Sequence, residues 1–288
     1  MRLVNCRDIR ERMLDEVRGY IGQTSDQLEL VIVQVQGDPA SDVYVRNKIK
    51  TCNDVGIHPI VIQCDSDVSL EELRDLLINE NANPNVTGLM LQLPLPDHLK
   101  EHERGLLDCI SWWKDVDGLS TQSAGRLWNG RECIAPATAA GIMQMMPNDM
   151  AGWNVTVVNR SSLVGKPLVK LLMDRNATVT ICHSKTGDVA KHFERAHAVV
   201  VGIGKPKHIS INYHPENSDA YLWVDVGINR DENGKLCGDI DINAFAGIET
   251  NVTPVPGGVG LLTTAQLMLN VVQAHGIQKR FVTEGHAV

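Results

Sequence analysis

The chain has 288 residues, of which 43% are hydrophobic, and a formal net charge of −8 at pH 7. This length allows a sizeable buried core and favours two globular domains. The negative charge disfavours non-specific binding to nucleic acid, and no basic run is long enough to reverse that expectation. No apolar run reaches about 18 residues, so no transmembrane segment and no membrane partner are predicted.

The cysteine pattern and the first residues bear on the compartment. The chain has seven cysteines and no C-x-x-C pair, which argues against a disulfide framework or a zinc knuckle. No cluster of metal ligands is evident, so we expect no bound metal. The stretch MRLVNCRDIRERML lacks the apolar core of a signal peptide. We therefore expect a cytoplasmic protein whose reduced cysteines serve as small buried residues.

The first half of the chain alternates strands and helices. Periodicity predicts, in order, a helix over 7–21, a strand over 28–35, a helix over 42–55, a strand over 58–63, a helix over 70–80 and a strand over 87–92. Ser41 is the predicted N-cap of the second helix, and Gly56 follows its end. Ser69 and Glu72 form a predicted capping box at the head of the third helix.

The second half contains a βαβ pattern. A strand over 154–158 leads through the polar loop NRSSLVGK and Pro167 into a helix over 168–173, and a second strand covers 177–182. The helix start is a natural site for phosphate. However, the loop has only Gly165 in place of G-x-G-x-x-G, so nucleotide binding and a unit that binds nothing both stay open.

These patterns predict an α/β fold of two α/β lobes around a cleft, the second of them Rossmann-like. Within the first lobe, Tyr44 and Lys48 share one helix face, Gln92 ends a buried strand, and Asp117 precedes Gly118. Each has an ordinary alternative. The lysine can lie at the surface, the glutamine can face water, and the aspartate can belong to a turn.

Five motifs occur in one order: YVRNK at 44–48, LQLPLP at 91–96, KDVDG at 114–118, NRSSLVGKP at 159–167 and TPVPGGVG at 253–260. This series resembles the bifunctional methylenetetrahydrofolate dehydrogenase/cyclohydrolase family, called FolD in bacteria, from about residue 6 to residue 275. The resemblance implies oxidation of 5,10-methylenetetrahydrofolate to the methenyl form with a nicotinamide cofactor. Hydrolysis to 10-formyltetrahydrofolate follows. Tetrahydrofolate one-carbon derivatives are the implied partners, and a homodimer is implied as well.

The resemblance also implies roles for individual residues. Lys48 would be the central catalytic residue, with Tyr44 on the pterin side, Gln92 in contact with the lysine and Asp117 bonded to the pterin ring. A lysine acts as a base only where its pKa is lowered by desolvation or by neighbouring groups. The substrate-binding residues implied are Tyr44, Gln92, Leu93, Asp117, Pro256, Gly257 and Gly258.

By the same resemblance, residues 1–139 form a folate-binding catalytic lobe that a helix within 262–288 completes. Residues 140–261 form a Rossmann-like NADP-binding domain. The predicted cofactor-binding residues are Asn159, Arg160, Ser161, Val164, Gly165, Pro167, His183, Ser184, Gly202, Gly204, Asp225, Gly227, Ile228 and Thr263.

The cofactor can be argued from residues. NAD-binding Rossmann units usually carry an acidic residue at the end of the second strand. Here that strand ends in CHSKT at 182–186, without a carboxylate. Arg160, Ser161 and Ser184, with Lys185, can hold a 2′-phosphate instead, which favours NADP.

Departures from the family pattern keep alternatives open. Ala137, Ala139, Leu261 and Leu262 replace residues usual in the family, and Asn159 replaces a glycine. The adjacent tryptophans Trp112 and Trp113 can stack on a ligand or pack at a lobe edge. A paralogue with one of the two activities, or a non-catalytic folate- or nucleotide-binding regulatory protein, is therefore the alternative to a bifunctional enzyme.

Overall fold

The computed structural model describes residues 1–210, 213 and 220–283. Its chain divides into two compact units. The first unit contains residues 12–137 and those from Thr264 onward, and the second contains Met1–Glu11 and Thr138–Thr263. Of the segment predicted at 262–288, residues 284–288 lie outside the described residues.

The elements of the first part of the chain, up to residue 143, are β1 (Arg2–Leu3), α1 (Cys6–Ile21), β2 (Glu29–Val35), α2 (Pro39–Val55), β3 (His58–Cys64), α3 (Leu70–Ala82), β4 (Gly88–Leu91), α4 (Asp97–Lys100), α5 (Glu103–Leu107), α6 (Thr121–Trp128) and α7 (Ala137–Met143). Those that follow are β5 (Asn154–Val158), α8 (Gly165–Asp174), β6 (Thr178–Cys182), β7 (Ala198–Val201), β8 (Leu222–Asp225), β9 (Asn229–Arg230), β10 (Leu236–Cys237), β11 (Asn251–Val252) and α9 (Val259–Thr283).

The first unit is built on a parallel sheet of three strands in the order β3-β2-β4. The β-branched strand β2 lies in the middle, where Val31 pairs with Ile60 on one side and Leu89 on the other. Val31 and Leu89 are fully buried and belong to one apolar cluster with Leu73 and Leu77 of α3. The predicted strands and helices of this region are therefore confirmed, and burial of their apolar faces stabilises them.

One predicted helix cap is wrong. Asp38, and not Ser41, is the N-cap of α2, because its carboxylate accepts hydrogen bonds from the N–H groups of Ala40 and Ser41 at 3.2 and 3.1 Å. Pro39 takes the first helical position, where a missing N–H has no cost. The other two caps are confirmed: Gly56 has φ +90° at the end of α2, and α3 begins with the predicted capping box.

The second unit contains a parallel sheet of six strands in the order β1-β11-β8-β7-β5-β6. The unit also contains a small antiparallel pair, β9 and β10. The chain runs from β5 to β6 on one side and then crosses to β7 on the other side of β5. Such a reversal opens a crevice at the carboxyl ends of the two strands, and ligands of α/β proteins bind there.

Element bounds in the second unit differ from prediction at a few places. Strand β5 has the predicted bounds, but α8 begins at Gly165 and so includes Pro167 in its first turn. Helix α9 runs from Val259 to Thr283 and is longer than the segment 262–274 that the pattern indicates. Strands β1 and β11 have two residues each, too few for periodicity to reveal.

Within residues 1–210, 213 and 220–283, no helix has the length and apolar character needed to cross a bilayer.

Candidate functional site

The first unit brings Lys48 of α2 and Gln92, which follows β4, into direct contact. The Lys48 Nζ donates to Gln92 Oε1 at 2.8 Å and lies 3.6 Å from Met90 Sδ. The Gln92 Nε2 donates to the carbonyl oxygen of Leu93 at 2.6 Å. That second bond fixes the orientation of the amide, so that its oxygen faces the lysine.

Burial and one nearby carboxylate control the ionisation of this group. Desolvation lowers the pKa of Lys48, and the charge of Asp117 opposes that fall. Desolvation likewise raises the pKa of Asp117, against the opposing charge of Lys48. Both side chains are half-buried. The lysine is therefore more easily deprotonated than an exposed lysine, which is what a general base at neutral pH requires.

The KDVDG segment that carries Asp117 is held on both sides by buried polar contacts. The Lys114 Nζ donates to the carbonyl oxygens of Asn81 and Asn83 at 2.9 and 2.6 Å. The Asn270 Nδ2, from α9, donates to the carbonyl oxygen of Val116 at 2.8 Å. Sequence reasoning missed Asn270, because an asparagine within a helix carries no pattern that points to a distant loop.

Asp115 and Gly118 fix the turn itself. The Asp115 carboxylate accepts from the Ser120 N–H at 2.8 Å and from the Ser123 hydroxyl at 2.7 Å. Gly118 has φ +67°, and a Cβ there would lie 2.6 Å from the backbone nitrogen of Pro136. Only glycine fits at position 118. Asp117, which precedes it, is therefore a turn residue, and its carboxylate is also half-buried.

Tyr44 is exposed, whereas the two tryptophans pack against other aromatic side chains. Tyr44 is on α2 one turn before Lys48, and its side chain is 39% exposed. Trp112 is buried and packs edge-on against Trp113 and Phe281. The Arg126 guanidinium lies over its ring, 3.6 Å from the ring centre, in a cation–π contact. The tryptophans therefore pack within the first unit.

In the second unit, Asn159 joins the loops after β5 and β7. Its Oδ1 accepts from the Ser161 N–H at 2.7 Å, and its Nδ2 donates to the carbonyl oxygen of Gly202. A Cβ on Gly165 would lie 2.3 Å from the Asn159 carbonyl oxygen, so only glycine fits at the head of α8. Inside the loop, the Ser161 hydroxyl accepts from the Val164 N–H at 3.1 Å.

Polar side chains follow β5 and β6 at the surface. Arg160, Ser184 and Lys185 are exposed. No acidic side chain among residues 1–210, 213 and 220–283 pairs with Arg160 or Lys185. His183 instead belongs to the turn, because its Nδ1 accepts from the Lys185 N–H at 3.1 Å. Two unpaired cations at adjacent strand ends are suited to a phosphate group.

Asp225 at the end of β8 is directed into the protein. It is 1% exposed, and its oxygens accept from the N–H groups of Gly227, Asp239 and Ile240 at 2.9, 3.0 and 2.8 Å. Burial raises its pKa to about 6. Ile228, by contrast, is 51% exposed. Of these two residues, only Ile228 has an exposed side chain.

The remaining predicted residues lie in or beside α9 and the loop before it. The Thr263 hydroxyl is 3.3 Å from the Thr138 hydroxyl and donates to the Val259 carbonyl oxygen at 3.1 Å. The Val255–Pro256 peptide is cis and Gly257 has φ +96°. A Cβ on Gly258 would lie 2.2 Å from the Pro254 carbonyl oxygen. Glycine is therefore favoured at 257 by its positive φ and required at 258 by the close backbone approach.

Two family models match the chain. One is described as the catalytic domain of tetrahydrofolate dehydrogenase/cyclohydrolase and matches residues 4–117. The other is described as the NAD(P)-binding domain of tetrahydrofolate dehydrogenase/cyclohydrolase and matches residues 136–279. The two matches together cover most of the chain.

Relatives and solved structures agree with the family models. The chain is 43% identical over 248 residues to the bifunctional protein FolD of Streptococcus pneumoniae serotype 2, with 85% of each protein covered. It is similar to the FolD structure of Campylobacter jejuni, with a TM-score of 0.88, 31% identity, and coverage of 96% of this chain and 99% of that one. The FolD structure of Trypanosoma brucei, complexed with NADP cofactor and inhibitor, has a TM-score of 0.86, 25% identity, and coverage of 96% and 98%.

Proposed function

The chain belongs to the tetrahydrofolate dehydrogenase/cyclohydrolase family, and we propose that its chemistry depends on Lys48, held by Gln92 beside Asp117. The reactions are oxidation of 5,10-methylenetetrahydrofolate to 5,10-methenyltetrahydrofolate with NADP, and hydrolysis of that product to 10-formyltetrahydrofolate. The observation that carries the assignment is the 2.8 Å hydrogen bond from Lys48 Nζ to Gln92 Oε1.

The proposed roles follow from the charges that the two reactions create. Loss of hydride leaves an amidinium-like cation on the substrate. A neutral lysine tolerates that cation better than a charged one, and burial favours the neutral form of Lys48. In the hydrolysis, Lys48 accepts a proton from the attacking water. Gln92 holds the amine in place in either protonation state, because its oxygen accepts a hydrogen bond from both.

Asp117 is the proposed partner of the pterin ring. Its carboxylate accepts hydrogen bonds from the amino and ring N–H groups of a pterin, and such charge-assisted bonds are stronger than neutral ones. We assign Tyr44 to the pterin side on the basis of its position one helical turn before Lys48. Folate binding is thus proposed for the first unit. The lobe predicted from the sequence, residues 1–139 with the helix after 262, includes this unit and also Met1–Glu11, which belong to the second unit.

We propose NADP as the cofactor, bound by residues 140–261 at the carboxyl ends of β5, β6 and β7. The glycine-only contact at Gly165 and the exposed cations Arg160 and Lys185 fit a phosphate-bearing dinucleotide. When bound, NADP supplies the hydride acceptor. Arg160, Ser184 and Lys185 are the residues proposed to hold the 2′-phosphate. The NADP complex of the Trypanosoma brucei relative supports this choice.

Assays of both reactions with each cofactor test the proposal. Purified protein should form NADPH from 5,10-methylenetetrahydrofolate and NADP, with NAD less effective, and should hydrolyse 5,10-methenyltetrahydrofolate. Absence of NADPH formation contradicts the dehydrogenase assignment. In that case the protein is a paralogue with the hydrolase activity alone. If hydrolysis is absent too, the protein is a non-catalytic binding protein.

A lysine variant tests the central residue. Lys48→Met should lower the rate of hydrolysis by at least about a hundredfold, the contribution typical of a general base. Lys50→Met is the matched control, since Lys50 is exposed two residues further along the same helix. Near-normal hydrolysis by Lys48→Met would refute its role.

We also infer that the protein forms a homodimer. Strand β3 lies at the edge of the three-stranded sheet. Beside it a groove of about 450 Å³ is lined by residues that include Gln34, Asp42 and Arg46. Opposite charges on one face suit a two-fold contact, in which the same surface meets itself. Sedimentation velocity should give twice the mass of the chain, and a monomer at assay concentrations would contradict the inference.

A further inference from the structure

We propose that Asp239 is a positioning residue for the NADP-binding loop after β7. The proposal rests on the function inferred above, and it concerns a fully buried side chain whose two oxygens both accept hydrogen bonds from protein groups. Asp239 follows β10 and is 0% exposed. It lies in the segment CGDIDI at 237–242, and aspartates are seldom fully buried unless they are paired.

The Asp239 carboxylate organises the backbone of the loop. Its Oδ2 accepts from the N–H groups of Ile203 and Gly204 at 2.6 and 3.1 Å. Its Oδ1 accepts from the Lys205 N–H at 2.8 Å and from Asn229 Nδ2 at 2.9 Å. Three consecutive loop amides therefore point inward to one carboxylate. These bonds to a buried carboxylate fix the shape of the loop, in which Gly204 has φ +70°.

Asp239 is itself placed by the end of β8. The Asp239 N–H donates to Asp225 Oδ1 at 3.0 Å, and the Ile240 N–H donates to Asp225 Oδ2 at 2.8 Å. A Cβ on Gly227 would lie 2.4 Å from the Asp239 Cγ, so the segment after β8 packs directly on this carboxylate. The position of the β7 loop is thus tied to β8.

The same loop is tied to β5 from the other side, through the Asn159 Nδ2 that donates to the Gly202 carbonyl oxygen. Continuous hydrogen bonds therefore run across the carboxyl ends of β5, β7 and β8. These are the strand ends around the crevice where a dinucleotide binds in this class of sheet. Asp239 lies in the middle of this series of hydrogen bonds.

A carboxylate at this position has a specific reason. Asp225 and Asp239 lie close enough that the charge of Asp239 contributes, after burial, to the raised pKa of Asp225. Two neighbouring buried carboxylates repel each other, so a carboxylate at 239 is favourable only because its oxygens accept hydrogen bonds from the loop. Asparagine has one acceptor oxygen, and its NH₂ group would face donors. Only a carboxylate accepts all four bonds.

The test compares Asp239→Asn with Asp241→Asn. Asp241 lies two residues further on, and its carboxylate accepts from the Asn243 N–H at 3.2 Å as the cap of a short helical turn. Asp239→Asn should raise the NADP dissociation constant, measured by titration calorimetry, by at least about tenfold, the effect of one lost charged hydrogen bond. The KM for NADP should rise in parallel with little change in kcat, and Asp241→Asn should match the wild type.

Hydrolysis of 5,10-methenyltetrahydrofolate, assayed without nucleotide, is the internal control, and Asp239→Asn should leave its rate within about twofold of wild type. An NADP dissociation constant unchanged in Asp239→Asn would overturn the proposal. If that variant does not fold, Asn229→Ala decides, because it removes one donor to the Asp239 carboxylate and leaves the residues of the loop unchanged. Weaker NADP binding by Asn229→Ala supports the proposal, and unchanged binding overturns it. Wild-type protein that binds NADP without turnover would count against the proposed function and leave this binding test valid.

Discussion

At the scale of single residues, the neighbours of Lys48 give it its properties. The sequence places Tyr44 and Lys48 on one helix face, because a spacing of four residues does so in any helix. The orientation of Gln92 could not be predicted, since it depends on the Leu93 carbonyl oxygen that the Gln92 amide contacts. The shifted pKa of Lys48 could not be predicted either, because burial is a property of the folded chain.

Asp117→Asn should shift the pH dependence of hydrolysis. Removal of the carboxylate removes an interaction that favours the charged lysine, so the pKa of Lys48 falls further below its usual value. Neutral lysine is then present at lower pH, and the acidic limb of the profile of kcat/KM against pH moves to lower pH. Asp97→Asn, an exposed site in the same unit, is the control. An unmoved acidic limb would mean that Lys48 is not the titrating base.

At the scale of elements, local signals predicted well and long-range pairing did not. The capping box at Ser69 was predictable because both partners lie within one turn. The start of α2 was misjudged because Asp38 and Ser41 are both good cap residues, and Pro39 after the aspartate was the signal that favoured the first. The Lys48 and Asn159 sites were predictable only as residues in motifs. Their contacts join strands far apart in sequence.

Asp38→Ala should lower the free energy of unfolding by about 1 kcal/mol, through loss of the cap of α2. Asp54→Ala, near the carboxyl end of the same helix, should cause no loss, since a negative charge is unfavourable at that end. Urea denaturation monitored by circular dichroism measures both. Equal losses in the two variants would contradict the assignment of Asp38 as the cap.

At the scale of the whole molecule, buried acids set part of the dependence of stability on pH. Desolvation raises the pKa of Asp115, Asp117 and Asp225. An acid with a raised pKa in the fold binds its proton more tightly there than in the unfolded chain. Its contribution to stability is therefore present at low pH and is lost as the pH rises through the folded pKa.

Asp225→Asn should remove one such contribution. The rise of its pKa from 3.8 to about 6 corresponds to roughly 3 kcal/mol, at about 1.4 kcal/mol per unit. On raising the pH from 4 to 7, the wild type should lose roughly 2 kcal/mol more unfolding free energy than the variant does. Denaturant titrations at the two pH values measure this difference. Parallel pH dependence in the two proteins would show that Asp225 is not ionising in that range.

The pairing of β1 with β11 has a consequence for how the protein assembles. Arg2 lies beside Asn251 and Leu3 beside Val252 in the parallel sheet. During synthesis, β1 is therefore made about 250 residues before its partner β11, which corresponds to roughly 12 to 50 s at ordinary translation rates. Contacts of such long sequence separation also form slowly. The edge of the sheet beside β8 is thus completed late, after the strands that surround the dinucleotide crevice have been synthesised.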